Sequence, residues 1–157
     1  MNYQYLDSPL GRLRLVSDGE NLRSIEFPGR YGSTQQDCEQ TDEVLAACAA
    51  QLTENFAGDR DRFDLPLDGG GTDFQCEVWR ALVEIPYGEV CSYRDIADRI
   101  GRPQAVRAVG AANGRNPLPI VVPSHRVIGS VGSLTGFAGA LEAKTRQLEL
   151  EGALPAE

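Results

Sequence analysis

The chain has one histidine among its 157 residues, a single lysine (Lys144), and four cysteines with no Cys-x-x-Cys spacing. A zinc site built from four Cys or His ligands therefore has almost nothing to draw on, and no metal or cofactor is expected. Thiols scattered as Cys38, Cys48, Cys76 and Cys91 fit a reducing cytoplasm better than a disulfide framework. No apolar run approaches the ~18 residues of a membrane span. The opening Met1-Asn2-Tyr3-Gln4-Tyr5 lacks the basic region and apolar core of a signal peptide. The expectation is a cytoplasmic protein with no membrane contact. A basic excess is missing too: 15 Lys and Arg against 23 Asp and Glu leave a net charge of −8. Taken over the whole chain, that argues against a nucleic-acid partner. What is present is an ordinary globular composition, 41% hydrophobic and 24% charged. The length suits one full domain or two small ones.

The whole-chain sum hides a split. Residues 1–72 hold six Arg and thirteen acids, a net of −7, and residues 73–157 hold nine cations and ten acids, a net of −1. Within residues 91–130, Arg94, Arg99, Arg102, Arg107, Arg115 and Arg126 stand against Asp95 and Asp98, a net of +4. Fourteen of the fifteen cations are Arg, whose planar fork of donors suits phosphate and stacking. The same window also reads as a solvated face.

Tyr3–Leu6 and Arg12–Val16 read as short strands joined by a turn at Asp7-Ser8-Pro9-Leu10-Gly11. Leu22–Phe27 follows as a third strand, giving a small antiparallel sheet with one face covered. Residues 28–42 read as a loop. Val44 to Phe56 carries Val44, Leu45, Cys48, Leu52 and Phe56 on one helical stripe, ended by Gly58. Residues 58–72 look like a linker, with a domain boundary near Gly69-Gly70-Gly71, so that residues 1–72 and 73–157 form the two domains.

The second half is helical. Phe74, Val78, Leu82 and Ile85 have helical spacing, Thr72 or Asp73 can cap the start, and Pro86-Tyr87-Gly88 stops it. Ser92 with Asp95 resembles a capping box for a helix that Gly101 closes. A second helix runs roughly over Gln104–Ala112, completing a helix-turn-helix pattern. Its residues are mostly Ala and Gly, with Arg107 the one long polar side chain. Such a helix approaches a surface closely and suits sequence-independent entry into a groove. It equally suits packing in a core.

Asn116 to Gly129 (Asn-Pro-Leu-Pro-Ile-Val-Val-Pro-Ser-His-Arg-Val-Ile-Gly) reads as a short buried strand ending in a turn. Together with Ile85-Pro86-Tyr87-Gly88, Ser92-Tyr93, Arg107-Ala108-Val109-Gly110, Gly136-Phe137-Ala138-Gly139 and Glu151-Gly152, it closely resembles the O6-alkylguanine-DNA alkyltransferases. The resemblance is close over residues 73–152 and loose over the N-terminal part. It implies an α+β chain: a small N-terminal, ribonuclease-H-like domain with an antiparallel sheet, then a winged-helix domain.

The resemblance also implies a reaction, irreversible transfer of an alkyl group from guanine O6 to a protein cysteine. It implies a partner, double-stranded DNA carrying O6-alkylguanine, entered from the minor groove with the damaged nucleotide flipped out. The protein is expected to be a monomer, with cooperative binding open to it. By position, Arg107 resembles the finger that fills the vacated stack. Ala105, Ala108, Gly110, Ala111, Arg115 and Arg126 fall on the DNA-binding segment. Tyr93, Val127, Gly136, Phe137 and Ala138 resemble the pocket. His125 resembles the base acting through a water, Glu151 its orienting carboxylate, and Asn116 a bridge between the helix and the active-site strand. A nucleophile needs an adjacent base, and the base an orienter.

One residue departs from the pattern. The family carries Pro-Cys-His-Arg where this chain has Pro123-Ser124-His125-Arg126. A thiol of pKa about 8.5 yields useful thiolate beside a base, and a serine hydroxyl does not. The expectation is a protein that binds the lesion without repairing it. Two histories account for Ser124: a Cys→Ser change made in a working transferase, or a natural alkyltransferase-like protein that flags lesions. Retention of His125, Glu151 and Asn116 favours the first. A serine hydrolase is disfavoured by the absence of a Gly-x-Ser-x-Gly elbow. A sequence-selective winged-helix regulator rests on the helix pattern alone.

Overall fold

The structure, a computed structural model, describes residues 1–32, 36–129 and 141–153. The expected pocket residues Gly136, Phe137 and Ala138 lie outside the described residues. The chain divides into two compact units, Met1–Gly69 and Gly70–Glu157.

In the first unit, β1 (Asn2–Ser8), β2 (Gly11–Ser17) and β3 (Leu22–Glu26) form an antiparallel meander. The β1–β2 hairpin turns on Pro9-Leu10. Ser8 Oγ accepts from the Leu10 amide at 3.1 Å and donates to the Gly11 carbonyl at 2.7 Å. A fourth strand, β4 (Cys38–Glu39), pairs with β1 in parallel, giving the order β3-β2-β1-β4. The sheet is therefore mixed, and β4 lies inside the segment expected to be loop. Two exposed polar residues carry no alternation that could announce a strand.

Helix α1 (Glu43–Phe56) starts at Asp42, whose carboxylate accepts from the Leu45 amide at 2.8 Å. Its Leu45, Cys48 and Leu52 bury with Leu13, Leu15, Leu22 and Ile25 of the sheet. The expected linker is partly structured: the Leu22 amide donates to the Pro66 carbonyl and the Asp68 amide to the Leu22 carbonyl, extending the edge beyond β3.

The second unit begins with α2 (Asp73–Val83), opened by a full capping box between Thr72 and Gln75. Next comes β5 (Cys91–Ser92), leading into α3 (Tyr93–Arg99), with the Ser92–Asp95 box closed by two 3.0 Å bonds. Helix α4 (Val106–Gly114) starts two residues later than expected, because the turn after Pro103 returns the Ala105 amide to the Arg102 carbonyl. Trp79 Nε1 donates to the Ala112 carbonyl at 2.9 Å and fixes α4 to α2. Val78, Leu82, Ile96, Val109 and Leu148 make the core of this unit. The chain ends its described course in α5 (Leu141–Leu150).

The expected strand over Asn116–Val122 is absent. That segment is an irregular buried run, ending in a 3-10 turn over Ser124–Arg126 and only then a two-residue strand, β6 (Val127–Ile128). Pro117, Pro119 and Pro123 have no amide to give a ladder. The Asn116 side chain takes the ladder's place: its Nδ2 donates to the Val122 carbonyl at 2.8 Å, and its Oδ1 accepts from the Leu118 amide at 2.9 Å.

Candidate functional site

The Asn116-stapled run delivers Ser124, His125 and Arg126 into the interior, where they are 0%, 1% and 5% exposed. Within that run Ile120 has a φ of +77°, a left-handed backbone that β-branched residues avoid. Glu151, just past α5, meets this turn. His125 Nε2 lies 2.6 Å from Glu151 Oε2. Arg126 grips the same carboxylate twice, Nε to Oε1 and Nη2 to Oε2, each at 2.9 Å. Its third arm, Nη1, donates to the Ile85 carbonyl at 2.7 Å. The Gly88 amide adds a 3.3 Å bond to Oε1.

Burial opposes charge on Glu151, but its bonds from His125 and Arg126 outweigh that and hold its carboxyl down to about 2. Burial likewise lowers His125 below its ordinary value, despite the carboxylate beside it. At neutral pH the pair is an ionised carboxylate and a neutral imidazole. An ionised carboxylate only accepts, so the imidazole proton sits on Nε2. His125 Nδ1 is then a lone-pair acceptor. It and Ser124 Oγ are buried with no hydrogen-bond partner among the described residues. A buried base with an oriented carboxylate, adjacent in sequence to position 124, supplies the base and orienter that an ionisable nucleophile there would need.

Helix α4 presents Arg107, Ala108, Ala111 and Arg115 to solvent, with Ala105 and Gly110 half-buried. A shallow cleft of about 200 Å³ runs beside this face, lined by Thr72, Phe74, Gln75, Ala108, Ala111 and Arg115 among others. Parallel pairing of Cys91 with Val127 and Ser92 with Ile128 sets the start of α3, with Tyr93, next to Val127.

Two family models cover nearly the whole chain: the 6-O-methylguanine DNA methyltransferase ribonuclease-like domain over residues 1–69 and its DNA binding domain over residues 73–153. The chain belongs to the 6-O-methylguanine DNA methyltransferase family. It is 47% identical over 154 residues to the methylated-DNA–protein-cysteine methyltransferase of Mycobacterium tuberculosis, covering 96% of this chain and 92% of that one. The like-named protein of Methanosarcina acetivorans is 46% identical over 154 residues, covering 97% and 99%. The crystal structure of M. tuberculosis OGT in complex with DNA superposes with a TM-score of 0.90 at 45% identity, covering 98% of this chain and 94% of that one.

The relatives are named for a cysteine, and this member of the family carries a buried Ser124 next to His125 in the chain. His125 and Glu151 form one carboxylate–imidazole pair, with Ser124 beside His125 in the chain, while Asn116 acts on the backbone leading in. The bridge expected of Asn116 is thus a staple within residues 116–122 rather than a link to a strand.

Arg126 does not stand where its motif suggests. Expected on the DNA side, it is buried, and its guanidinium is occupied by Glu151 and Ile85. With three of its five N–H donors bonded inside the protein and its side chain buried, this arginine is not presented to a phosphate.

Two features of the site have little or no signature in the sequence. Lys144 is fully buried, with Nζ 2.5 Å from the Val127 carbonyl, and burial lowers its pKa to about 8. Its being the chain's only lysine is the one available signal. The second is the grip of the Ile85–Gly88 turn on Glu151 and Arg126, legible in sequence only as a helix stop. Among the described residues no cluster of three or more His, Cys, Asp or Glu could hold a metal ion, and no helix is long and apolar enough to cross a membrane.

Proposed function

We propose that the chain is a monomeric, cytoplasmic reader of O6-alkylguanine in duplex DNA, one that enters the minor groove, flips the damaged nucleotide and holds it without taking its alkyl group. The observation that carries this reading is Ser124, buried beside a neutral His125 whose proton is fixed by Glu151 in turn gripped by Arg126. Membership of the family supports O6-alkylguanine as the lesion. The small exposed residues of α4, with Arg107 among them, suit close approach to a groove. Tyr93, Val127 and residues 136–138 are assigned to the pocket that receives the flipped base.

With cysteine at position 124, His125 Nδ1 takes the thiol proton, directly or through water. The sulfur then attacks the alkyl carbon. An S–C bond forms as the C–O6 bond breaks, and its electron pair and a proton restore guanine. A serine hydroxyl does not ionise beside a neutral imidazole, and oxygen is the poorer nucleophile at saturated carbon. The test uses duplex DNA with labelled O6-methylguanine. The chain as it stands retains no label, and Ser124→Cys takes up one methyl per molecule. Label on Ser124, or an inert Ser124→Cys protein, overturns the proposal.

Arg107 is proposed to fill the stack rather than bind phosphate. Arg107→Ala therefore lowers affinity for lesion-containing duplex by about tenfold or more, while the slope of affinity against salt changes by less than the ~0.9 expected of one lost phosphate contact. A full unit of slope change would reassign Arg107 to the backbone.

A further inference from the structure

We infer that the turn between α2 and β5, Ile85–Gly88, is a positioning element that holds Glu151 in register and thereby keeps the His125 proton on Nε2. The turn reaches Glu151 and its partner Arg126 from several sides. Its first residue gives its carbonyl to Arg126 Nη1 at 2.7 Å. The Tyr87 ring faces the Arg126 guanidinium at 5.6 Å, and its hydroxyl donates to the Leu150 carbonyl at 3.4 Å. The Gly88 amide bonds Glu151 Oε1. Each carboxylate oxygen therefore has two donors: Arg126 Nε and Gly88 N on Oε1, His125 Nε2 and Arg126 Nη2 on Oε2. A carboxylate held this way cannot rotate without breaking bonds that the low-dielectric interior makes costly.

Position 88 requires glycine for two reasons. Its φ is +83°, and a Cβ there would lie 3.2 Å from the Glu151 carbonyl oxygen. Any side chain strains the turn and presses the Glu151 backbone away from His125. The proton is thus governed from a turn 37 residues earlier in the chain than His125, as outer partners orient the ligands of a metal site.

The inference rests on reading His125 as the base. It is tested without DNA or transfer, so the two fail separately. The chain has one histidine, so its ring nitrogens are assigned unambiguously by 15N NMR of the intact protein as it stands. The parent shows a single Nε2–H tautomer with a slowly exchanging proton. Gly88→Ala, folded by circular dichroism, gains an Nδ1–H population and exchanges the ring proton about tenfold faster, the effect of losing one ordinary hydrogen bond. Tyr87→Leu moves the same way to a smaller extent. Tyr87→Phe, which keeps the ring against Arg126, stays with the parent. If Gly88→Ala does not fold, Tyr87→Leu against Tyr87→Phe decides. Parental tautomer and exchange in the folded Gly88→Ala and Tyr87→Leu proteins would overturn the inference.

Discussion

Glu151→Gln tests the buried cluster most directly, because it keeps the shape and removes only the charge. Arg126 is buried and receives its countercharge from this carboxylate through two 2.9 Å bonds. With glutamine, one position becomes an amide NH2. If that group faces Oε2's present partners, it opposes the Arg126 Nη2 donor and displaces the His125 proton from Nε2. If it faces Oε1's, it opposes Arg126 Nε and the Gly88 amide. No orientation satisfies all four donors.

Removing one partner of a buried ion pair costs about 3–5 kcal/mol, a large share of a typical folding free energy of about 5–15 kcal/mol. At 2–4 °C per kcal/mol for a chain of this size, about 3 kcal/mol lowers the melting temperature by roughly 6–12 °C at pH 7.

The pH dependence gives a second reading of the same pair. Glu151 is held at about 2 against an ordinary 4.5. An unfolded chain therefore takes up this proton first. The stability that Glu151 contributes is fully present above pH 4.5 and is lost as pH falls through about 2. The increment is about 3 kcal/mol before solvent screening and nearer 2 after it. Glutamine has nothing to titrate there. Urea denaturation of both proteins between pH 7 and pH 2.5 should show the gap between them narrowing on acidification. A variant within 1 kcal/mol of the parent at pH 7, or a gap that does not narrow, would refute the account of the cluster.

Two further outcomes follow from buried groups. Asn116→Ala leaves the Leu118 amide unpaired in the interior and takes from the Val122 carbonyl one of its two donors, the other being the Ser124 amide; a loss of about 1–3 kcal/mol by chemical denaturation is expected. Lys144 is held near 8 by burial against an ordinary 10.5, so the unfolded chain keeps its proton longer. Parental stability therefore gains an increment as pH rises from about 8 to 10.5, and Lys144→Met lacks that increment in a matched pair of denaturation series.

Elements fixed by neighbours along the chain are legible in the amino-acid sequence alone. The Thr72–Gln75 and Ser92–Asp95 boxes each close within three residues, and the α1 stripe is set by helical periodicity. Motif resemblance points to the family and to Ser124 as the departure from it. Two other segments show the limit. Asn116–Val122 is apolar enough for a buried strand, but its prolines deny a ladder, and local turns together with one asparagine side chain satisfy the backbone instead. Strand β4 exists because the Cys38 amide finds the Met1 carbonyl, a partner no local pattern announces.

The positive window over residues 91–130 shows the same division. Sequence counts Arg126 among its cations, and folding withdraws it, because it is buried with Glu151 and Ile85, 25 and 41 residues away, which take three of its donors. Sequence determined which groups this protein has: one imidazole, one lysine, a serine between Pro123 and His125. Tertiary structure decided which of them share a low-dielectric interior. There, contact between residues far apart in the chain sets whether a carboxylate is charged, where an imidazole keeps its proton, and which arginines stay exposed.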